Sequence, residues 1–350
     1  MICLKHTARI LSKGLFLLTL FSLILGLNPM PSGADQEKAK IAAAKKEGKL
    51  VFYSVINVPD SMKLLNGFKK KYPFLKTEIY RASSEKLLNK ILIEARSKRY
   101  NTDVFLNNDV ITHIINKKGL YTKYISPESE FYAKEFHDPQ GYWTACFVVT
   151  RVLAYNTRLV KAEDVPKSWE DLLDPKWTGK IGGHTEEFAW FPAQLKLRGR
   201  ESGIAFMKKL AKQISSYHTG RTLLGQLLAA GEFPVVLVAN AHTIEKLKKQ
   251  GAPVEWVPIE PVVTTLMPIT LATHAPHPNA GKLFIDFVLS KKGQEIFRSV
   301  GRIPARTDTP PDPPRLLKGL KLFPGDPEFI EKAKEYRILY RDIFLKSGGK

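Results

Sequence analysis

Cysteine is nearly absent from this chain, which holds two cysteines in 350 residues. Only Cys146 lies beyond the first 34 residues, so the rest of the chain cannot form an intrachain disulfide. Its stability is therefore expected to rest on the hydrophobic core alone. Cys146 lies in the apolar run Ala145–Val149 and is expected to be a small buried hydrophobe rather than a nucleophile.

Sequence signatures of catalysis and of cofactor binding are also missing. The chain has no nucleophile elbow, P-loop, dinucleotide fingerprint or HExxH motif. Glu186 and Glu187 are adjacent carboxylates, but neighbouring side chains on one chain usually point apart. No basic motif interleaved with aromatic residues, typical of nucleic-acid binding, is present. The sequence therefore predicts a protein that is not an enzyme, uses no cofactor and binds no nucleic acid.

Acidic residues are in the minority, with 34 Asp and Glu against 54 Lys and Arg and a net charge of +20. Three of the positive charges, Lys5, Arg9 and Lys13, lie in the amino-terminal segment. The other lysines occur singly or in short runs such as Lys69–Lys71. A strongly positive field favours anionic ligands or surfaces. The alternative is a scattered positive surface that serves solubility.

Only one apolar run, Gly14–Leu27, approaches the length of a membrane span. It is shorter than the ~20 residues that a membrane-spanning helix needs. The small residues Ser32–Ala34 follow it. A positive start, an apolar run and small residues are the layout of a secretory signal peptide. We predict that residues 1–34 are a cleaved signal peptide and that the exported protein begins near Asp35; an uncleaved anchor is the alternative.

The next part of the chain alternates predicted strands, polar turns and helices. The strands are Lys49–Val55, Leu75–Tyr80 and Asp103–Leu106, and the first helix is expected to begin at Asp60. This order predicts a parallel sheet flanked by helices, and ligands bind such sheets beyond the carboxyl ends of the strands. The turns at those ends supply the first candidate ligand-binding residues, which are Ser54, Asn57, Ser83, Ser84 and Asn108.

Two long apolar runs, Thr144–Tyr155 and Val262–Ala272, are predicted to cross between two α/β lobes. The second lobe has predicted strands at Lys180–Gly182 and Val235–Ala239. After the return crossing, one amphipathic helix is predicted over Lys282–Val300. The cleft between two such lobes is the expected ligand site.

A proline-rich stretch, Thr307–Pro314, separates the second crossing from a last helix near Pro327–Leu345, which is expected to act as a brace. The first lobe is then discontinuous, and hinges are expected near Thr150–Ala154 and Val262–Leu266. The predicted boundaries are residues 35–148 with 267–306 for the first lobe, 149–266 for the second lobe and 307–350 for the brace.

Five segments carry a resemblance to a known family. They are Glu47–Ser54, Leu153–Thr157, Val165–Ile181, Ala229–Val235 and His277–Ser290. In this order they resemble the periplasmic substrate-binding proteins of ABC importers, in the branch that contains ferric-ion-binding proteins. The resemblance implies a type II periplasmic-binding-protein fold, in which each lobe is a mixed, mostly parallel sheet flanked by helices. It also implies a monomer in the periplasm that delivers a small ligand to an ABC permease of the inner membrane.

The iron-binding members of that family have adjacent tyrosines just after the strand that corresponds here to Val235–Ala239. This chain has Asn240, Ala241 and His242 at that place. Phenolate oxygens suit a hard trivalent ion, so a different ligand, or a different set of metal ligands, is expected. The protein is predicted to remain colourless with ferric citrate.

Three turns of the second lobe supply its candidates. An anionic organic ligand is predicted, because Arg221 can make a bidentate contact with a carboxylate or phosphate. Removal of Arg221 is expected to weaken binding and to leave stability unchanged; the alternative role of this residue is a surface ion pair. The candidates of this lobe are His184, Thr185, Glu186, His218, Arg221, Asn240 and His242.

Two other functions stay open at this point. Imidazole and carboxylate groups can bind a transition metal when three or four of them meet. A cationic exported protein that binds polyanions is the other alternative, and a fall of affinity with salt would mark it. The potential metal ligands are His184, Glu186, His218 and His242.

Overall fold

The structure is a computed structural model that describes residues 33–187 and 189–346. The predicted signal peptide lies outside the described residues except for its last two positions. Within the described ranges no helix is both long enough and apolar enough to cross a bilayer. The fold is mixed α/β, with two lobes joined by two long strands.

The first lobe is built on the parallel strands β1 (Lys49–Ser54), β2 (Lys76–Arg81) and β3 (Val104–Leu106), in the order β2-β1-β3. Strand β10 (Val262–Ala272) lies antiparallel beside β3. The remaining elements of this lobe are α1 (Gly33–Glu47), α2 (Val58–Lys71), α3 (Ser84–Arg96), α4 (Asp109–Lys117), β4 (Tyr121–Thr122), α9 (Pro278–Leu289), α10 (Lys291–Ser299) and β11 (Ile303–Pro304).

Strand β5 (Thr144–Asn156) belongs to both lobes. Its residues up to Thr150 pair with β10, and those from Arg151 onward pair with strands of the second lobe. Strands β5 and β10 are the two crossings, as the sequence predicts. The partner change places Arg151 at the junction of the two lobes.

The second lobe is a sheet in which β7 (Ile214–His218), β6 (Ile181–His184) and β8 (Val235–Asn240) run parallel and β5 runs antiparallel to β8. The carboxyl ends of its three parallel strands therefore lie along one edge. The elements of this lobe are β6 (Ile181–His184), α5 (Trp190–Arg198), α6 (Arg200–Ala211), β7 (Ile214–His218), α7 (Arg221–Ala230), β8 (Val235–Asn240), α8 (Ala241–Lys249) and β9 (Val254–Val257).

The end of the described chain returns to the second lobe. Strand β12 (Leu322–Phe323) pairs in parallel with the start of β10. Helices α11 (Pro327–Glu331) and α12 (Ala333–Tyr340) follow, and a π-helical turn, Arg341–Leu345, closes the segment. The single helix predicted near Pro327–Leu345 is therefore three consecutive pieces.

One predicted helix, Lys282–Val300, is divided at Ser290 into α9 and α10. The Ser290 hydroxyl accepts a hydrogen bond from the Gly293 N–H and caps the second helix. A Cβ at Gly293 would lie 2.2 Å from the Phe287 carbonyl oxygen, so only glycine allows the close approach of the two helices. The sequence predicted a single helix because the helical spacing of apolar residues continues across the break.

One other prediction of local structure was wrong, and one strand was missed. Helix α2 begins at Val58 rather than at Asp60, because Asn57 Oδ1 accepts the Asp60 N–H at 2.9 Å and Asn57 is the N-cap. Strand β7 was not predicted; it lies at the end of the sheet, and of its five residues only Ile214 is buried. An edge strand with a largely polar sequence gives no hydrophobic alternation to detect.

Candidate functional site

The first-lobe candidates mostly cap helices. Asn57 caps α2, and Asn108 caps α4, where its Oδ1 accepts the Ile111 N–H at 2.9 Å. The Asn108 amide also donates to Ser84 Oγ at 3.0 Å, which joins two adjacent turns. These side chains already have partners, and a ligand would have to share them.

Two further serines differ in exposure. Ser54 is completely buried, and its hydroxyl accepts the Ile56 N–H at 3.0 Å. Ser83 is exposed at the N-cap of α3, where its hydroxyl makes no capping bond within the described helix. Of these two, only Ser83 has a side chain that is open to solvent.

Asp109 is a charged residue in the first turn of α4, at this edge of the first lobe. Its Oδ2 accepts the Leu266 N–H of β10 at 3.2 Å, so it connects the start of α4 to the second crossing. Burial raises the pKa of Asp109 to about 6, against hydrogen bonds from backbone N–H groups and the charge of Arg151, which lower it.

His184 ties two turns of the second lobe together. Its Nε2 accepts the Gly220 N–H at 3.1 Å, and its Nδ1 lies 2.8 Å from the Glu186 carbonyl oxygen and 3.0 Å from the Glu186 nitrogen. With Nε2 as an acceptor, the proton is assigned to Nδ1, which donates to the Glu186 carbonyl. Burial, followed by the charge of Arg221, lowers the pKa of His184 to about 3. The Tyr340 hydroxyl donates to the His184 carbonyl at 2.6 Å. The imidazole is therefore held neutral, with both nitrogens engaged.

Arg221 forms an enclosed ion pair. Its guanidinium donates to Glu187 Oε1 at 2.7 Å and to the Val238 carbonyl at 2.7 Å. The side chains of Arg221 and Glu187 are 15% and 2% exposed. Burial raises the pKa of Glu187, against the charges of Arg221 and Arg151. The ion pair that the sequence left as an alternative is therefore present and buried, and ligand contact by Arg221 stays a prediction.

The other candidates of this lobe lie on the same edge. Thr185 Oγ1 is 3.0 Å from Thr219 Oγ1, and His218 Nε2 is 3.0 Å from Ser216 Oγ. Burial, followed by the charge of Glu85, raises the pKa of Glu186. The Thr185–Thr219 contact joins two neighbouring turns, whereas the contact of His218 stays within β7.

His242 is a buried imidazole whose Nδ1 has no hydrogen-bond partner in the described part of the chain. Burial, followed by the charges of Arg302 and Arg151, lowers its pKa well below the usual value. The structure does not bring together the four potential metal ligands of the sequence, His184, Glu186, His218 and His242. Residues 33–187 and 189–346 contain no group of three or more His, Cys, Asp or Glu side chains placed to hold a metal ion.

Arg151 is the residue that sequence reasoning missed. Its guanidinium donates to Asn240 Oδ1, and it lies 3.4 Å from Thr265 Oγ1 of β10. Its Nε is enclosed and has no partner among the described residues. Burial, followed by repulsion from Arg221, lowers the pKa of Arg151 to about 9. The only signal in the sequence is a single charged residue inside a 13-residue strand.

The family of this chain follows from its similarity to known proteins. Residues 100–333, about two thirds of the chain, match the family of bacterial extracellular solute-binding proteins. The chain belongs to this family. It lies in the branch that includes the ferric-ion-binding proteins, and it is the substrate-binding component of an ABC importer, a transport protein of the periplasm.

Three similar proteins illustrate the relationship. An uncharacterised protein of Haemophilus influenzae is 28% identical over 273 residues, which are 73% of this chain and 76% of that protein. The periplasmic binding protein AfuA from Actinobacillus pleuropneumoniae, solved with exogenous fructose-6-phosphate bound, is 27% identical, with a TM-score of 0.75 over 85% of this chain and 99% of that chain.

Iron-bound HitA from Pseudomonas aeruginosa is 24% identical, with a TM-score of 0.74 over 84% of this chain and 99% of that chain. At this identity the likeness concerns the fold alone. The structural likeness to HitA and to AfuA confirms the predicted two-lobed type II fold.

Proposed function

We propose that this solute-binding protein captures a small organic anion between its lobes and delivers it to a membrane permease. We further propose that Arg151 is the cation that receives the anion. The observation that carries the proposal is the state of the half-buried Arg151 guanidinium, whose enclosed Nε has no partner and which, among the described residues, donates only to neutral oxygens.

A buried charge is costly unless a group of opposite charge accepts its hydrogen bonds. Within the described residues, Arg151 donates to an amide oxygen of Asn240 and a hydroxyl oxygen of Thr265. The nearby carboxylates serve other donors: Glu187 accepts from Arg221, and Asp109 accepts from backbone N–H groups. Carboxylate or phosphate oxygens of a ligand would supply the missing partner.

The position of Arg151 also suits a ligand that closes the lobes. Asn240 belongs to the second lobe, Asp109 to the first, and Thr265 to the second crossing. The charges of Asp109 and Glu187 both act on Arg151. A ligand seated here would touch groups from both lobes, and its binding free energy would favour the closed arrangement.

A phosphorylated sugar is the first ligand to test, because AfuA was solved with fructose-6-phosphate and is 27% identical. The planar fork of a guanidinium matches the oxygens of a phosphate monoester better than the point charge of a lysine ammonium group does. A metal ion is the alternative, since HitA was solved with iron. In this chain the end of β8 and the start of α8 carry Asn240, Ala241 and His242, and none of these three residues is a tyrosine.

Calorimetric titration tests the proposal. Wild-type protein and the Arg151→Gln variant are titrated with fructose-6-phosphate, inorganic phosphate, citrate, fructose and ferric citrate. Native mass spectrometry of protein purified from its own periplasm shows any ligand that copurifies. Loss of one charge-assisted contact should weaken binding of the anion by about 10- to 150-fold. Binding of neutral fructose should not respond to the substitution.

The matched control is Arg158→Gln, which removes an exposed arginine just beyond the end of β5. It should bind the anion as wild type does. Equal binding by Arg151→Gln would refute the role of Arg151. A visible phenolate-to-iron band with ferric citrate, and no binding of any organic anion, would replace the proposal by iron import. A linear fall of log affinity with log salt would instead indicate polyanion binding.

A further inference from the structure

The carboxy-terminal helices are firmly attached to the second lobe. Tyr336, Tyr340 and Phe344 are 8%, 4% and 0% exposed. Tyr340 packs against Phe191 of α5, with ring centroids 5.4 Å apart. Burial of several aromatic side chains makes this attachment strong, because a large apolar area is removed from water.

The same helices also contact the first lobe, but through charges at the surface. Arg337 of α12 donates to Glu85 of α3 at 2.9 Å. Glu331 of α11 accepts from Lys117 of α4 at 3.1 Å. In both pairs each side chain is at least one-third exposed. Exposed pairs are weak and are screened by salt.

One face of α12 connects the two attachments. Arg337 and Tyr340 are three residues apart and therefore neighbours on the helix surface. Arg337 holds Glu85 of the first lobe, and Tyr340 holds the His184 carbonyl at the end of β6. A cavity of about 150 Å³ lies between these contacts and is lined by α12, Glu85 and residues 185–187.

We propose that α11 and α12 form an ionic latch between the lobes. The latch moves with the second lobe, because its aromatic attachment is much stronger than its two ion pairs. When the lobes separate, Glu85–Arg337 and Lys117–Glu331 break and the aromatic contacts persist. The latch thus favours the closed arrangement before any ligand binds, and its strength depends on ionic strength. This inference does not depend on which ligand the cleft accepts.

Distances between spin labels test the latch in ligand-free protein. One label is placed at Lys70→Cys on α2 and the other at Lys208→Cys on α6, both exposed positions. The single cysteine of the described chain, Cys146, is buried and should not react. Arg337→Glu should raise the open-to-closed ratio about 2- to 5-fold. Raising the salt concentration from about 0.05 M to about 0.5 M should have the same effect on wild type.

A charge swap and a matched control make the test specific. Glu85→Arg combined with Arg337→Glu should restore the wild-type distances. Glu335 lies on α12, as Arg337 does, but its ion pair with Arg200 connects α12 to α6 within the second lobe. The control Arg200→Glu breaks that pair and should leave the distances between the labels unchanged. Unchanged distances in Arg337→Glu, or a swap that fails to restore them, would overturn the latch.

Discussion

The two lobes meet the cleft with different chemistry. At the first-lobe edge, neutral side chains such as Asn57 and Asn108 cap helices. At the second-lobe edge, His184, Glu187 and Arg221 are enclosed and hydrogen-bonded to the backbone or to each other. In the proposed function the second lobe, with Arg151, therefore sets the charge that a ligand must carry, and Asp109 is the buried carboxyl that the first lobe places beside the second crossing.

Breaking the enclosed ion pair should produce the largest effect on stability. Arg221→Ala leaves Glu187 buried without its partner, which should reduce the free energy of unfolding by about 3–5 kcal/mol. This differs from the expectation drawn from the sequence, in which Arg221 faced an open cleft. Urea denaturation measures the loss. The double variant Arg221→Leu with Glu187→Met should recover most of it; equal instability of both variants would contradict the explanation.

Titrating groups at the two edges should change the free energy of unfolding with pH in opposite directions. Folded His184 has a pKa of about 3, below the usual 6.5, so the unfolded chain binds the proton more readily and stability falls by a few kcal/mol as pH drops from 6.5. Folded Asp109 has a pKa of about 6, above the usual 3.8, so its contribution to stability is lost as pH rises from 3.8 through 6.

Urea midpoints measured from about pH 4 to about pH 7 separate the two contributions. His184→Gln should make stability depend less on pH, because it removes the imidazole whose pKa is lower in the folded chain than in the unfolded chain. Asp109→Asn should make the rise of stability with pH steeper. If both variants keep the wild-type slope, other groups control the pH dependence.

The smallest effect is expected at a helix cap of the first lobe. Asn108→Ala removes the acceptor of the Ile111 N–H and should cost about 1 kcal/mol of unfolding free energy. Ser83→Ala is the matched control, because the Ser83 hydroxyl makes no capping bond in the described helix. A loss at Asn108 as large as that at Arg221 would remove the contrast between the lobes.

The sequence predicted the frame of the fold because long apolar strands and polar turns are local signals. The predicted second crossing, Val262–Ala272, coincides with β10 from end to end. The helix break at Ser290 was missed, since its signal is one serine and one glycine rather than a change of periodicity. The lobe boundaries drawn from the sequence stay a prediction.

The side-chain partners within the site could not be predicted in the same way. Glu187 and Arg221 are 34 residues apart in sequence, and Arg151 is 89 residues from Asn240. Such pairs depend on which strands become neighbours and on where each strand ends. Arg151 lay inside a strand, whereas the candidates were sought in turns.

Strand β10 and helix α12 are synthesised after most of the elements they pack against, which limits when each lobe can fold. The first-lobe sheet needs β10 between β3 and β5, and the second-lobe core includes Tyr340 and Phe344 near the end of the chain. A nascent chain on the ribosome therefore cannot complete the first-lobe sheet before β10 has been synthesised, or the second-lobe core before Tyr340 and Phe344 have been synthesised.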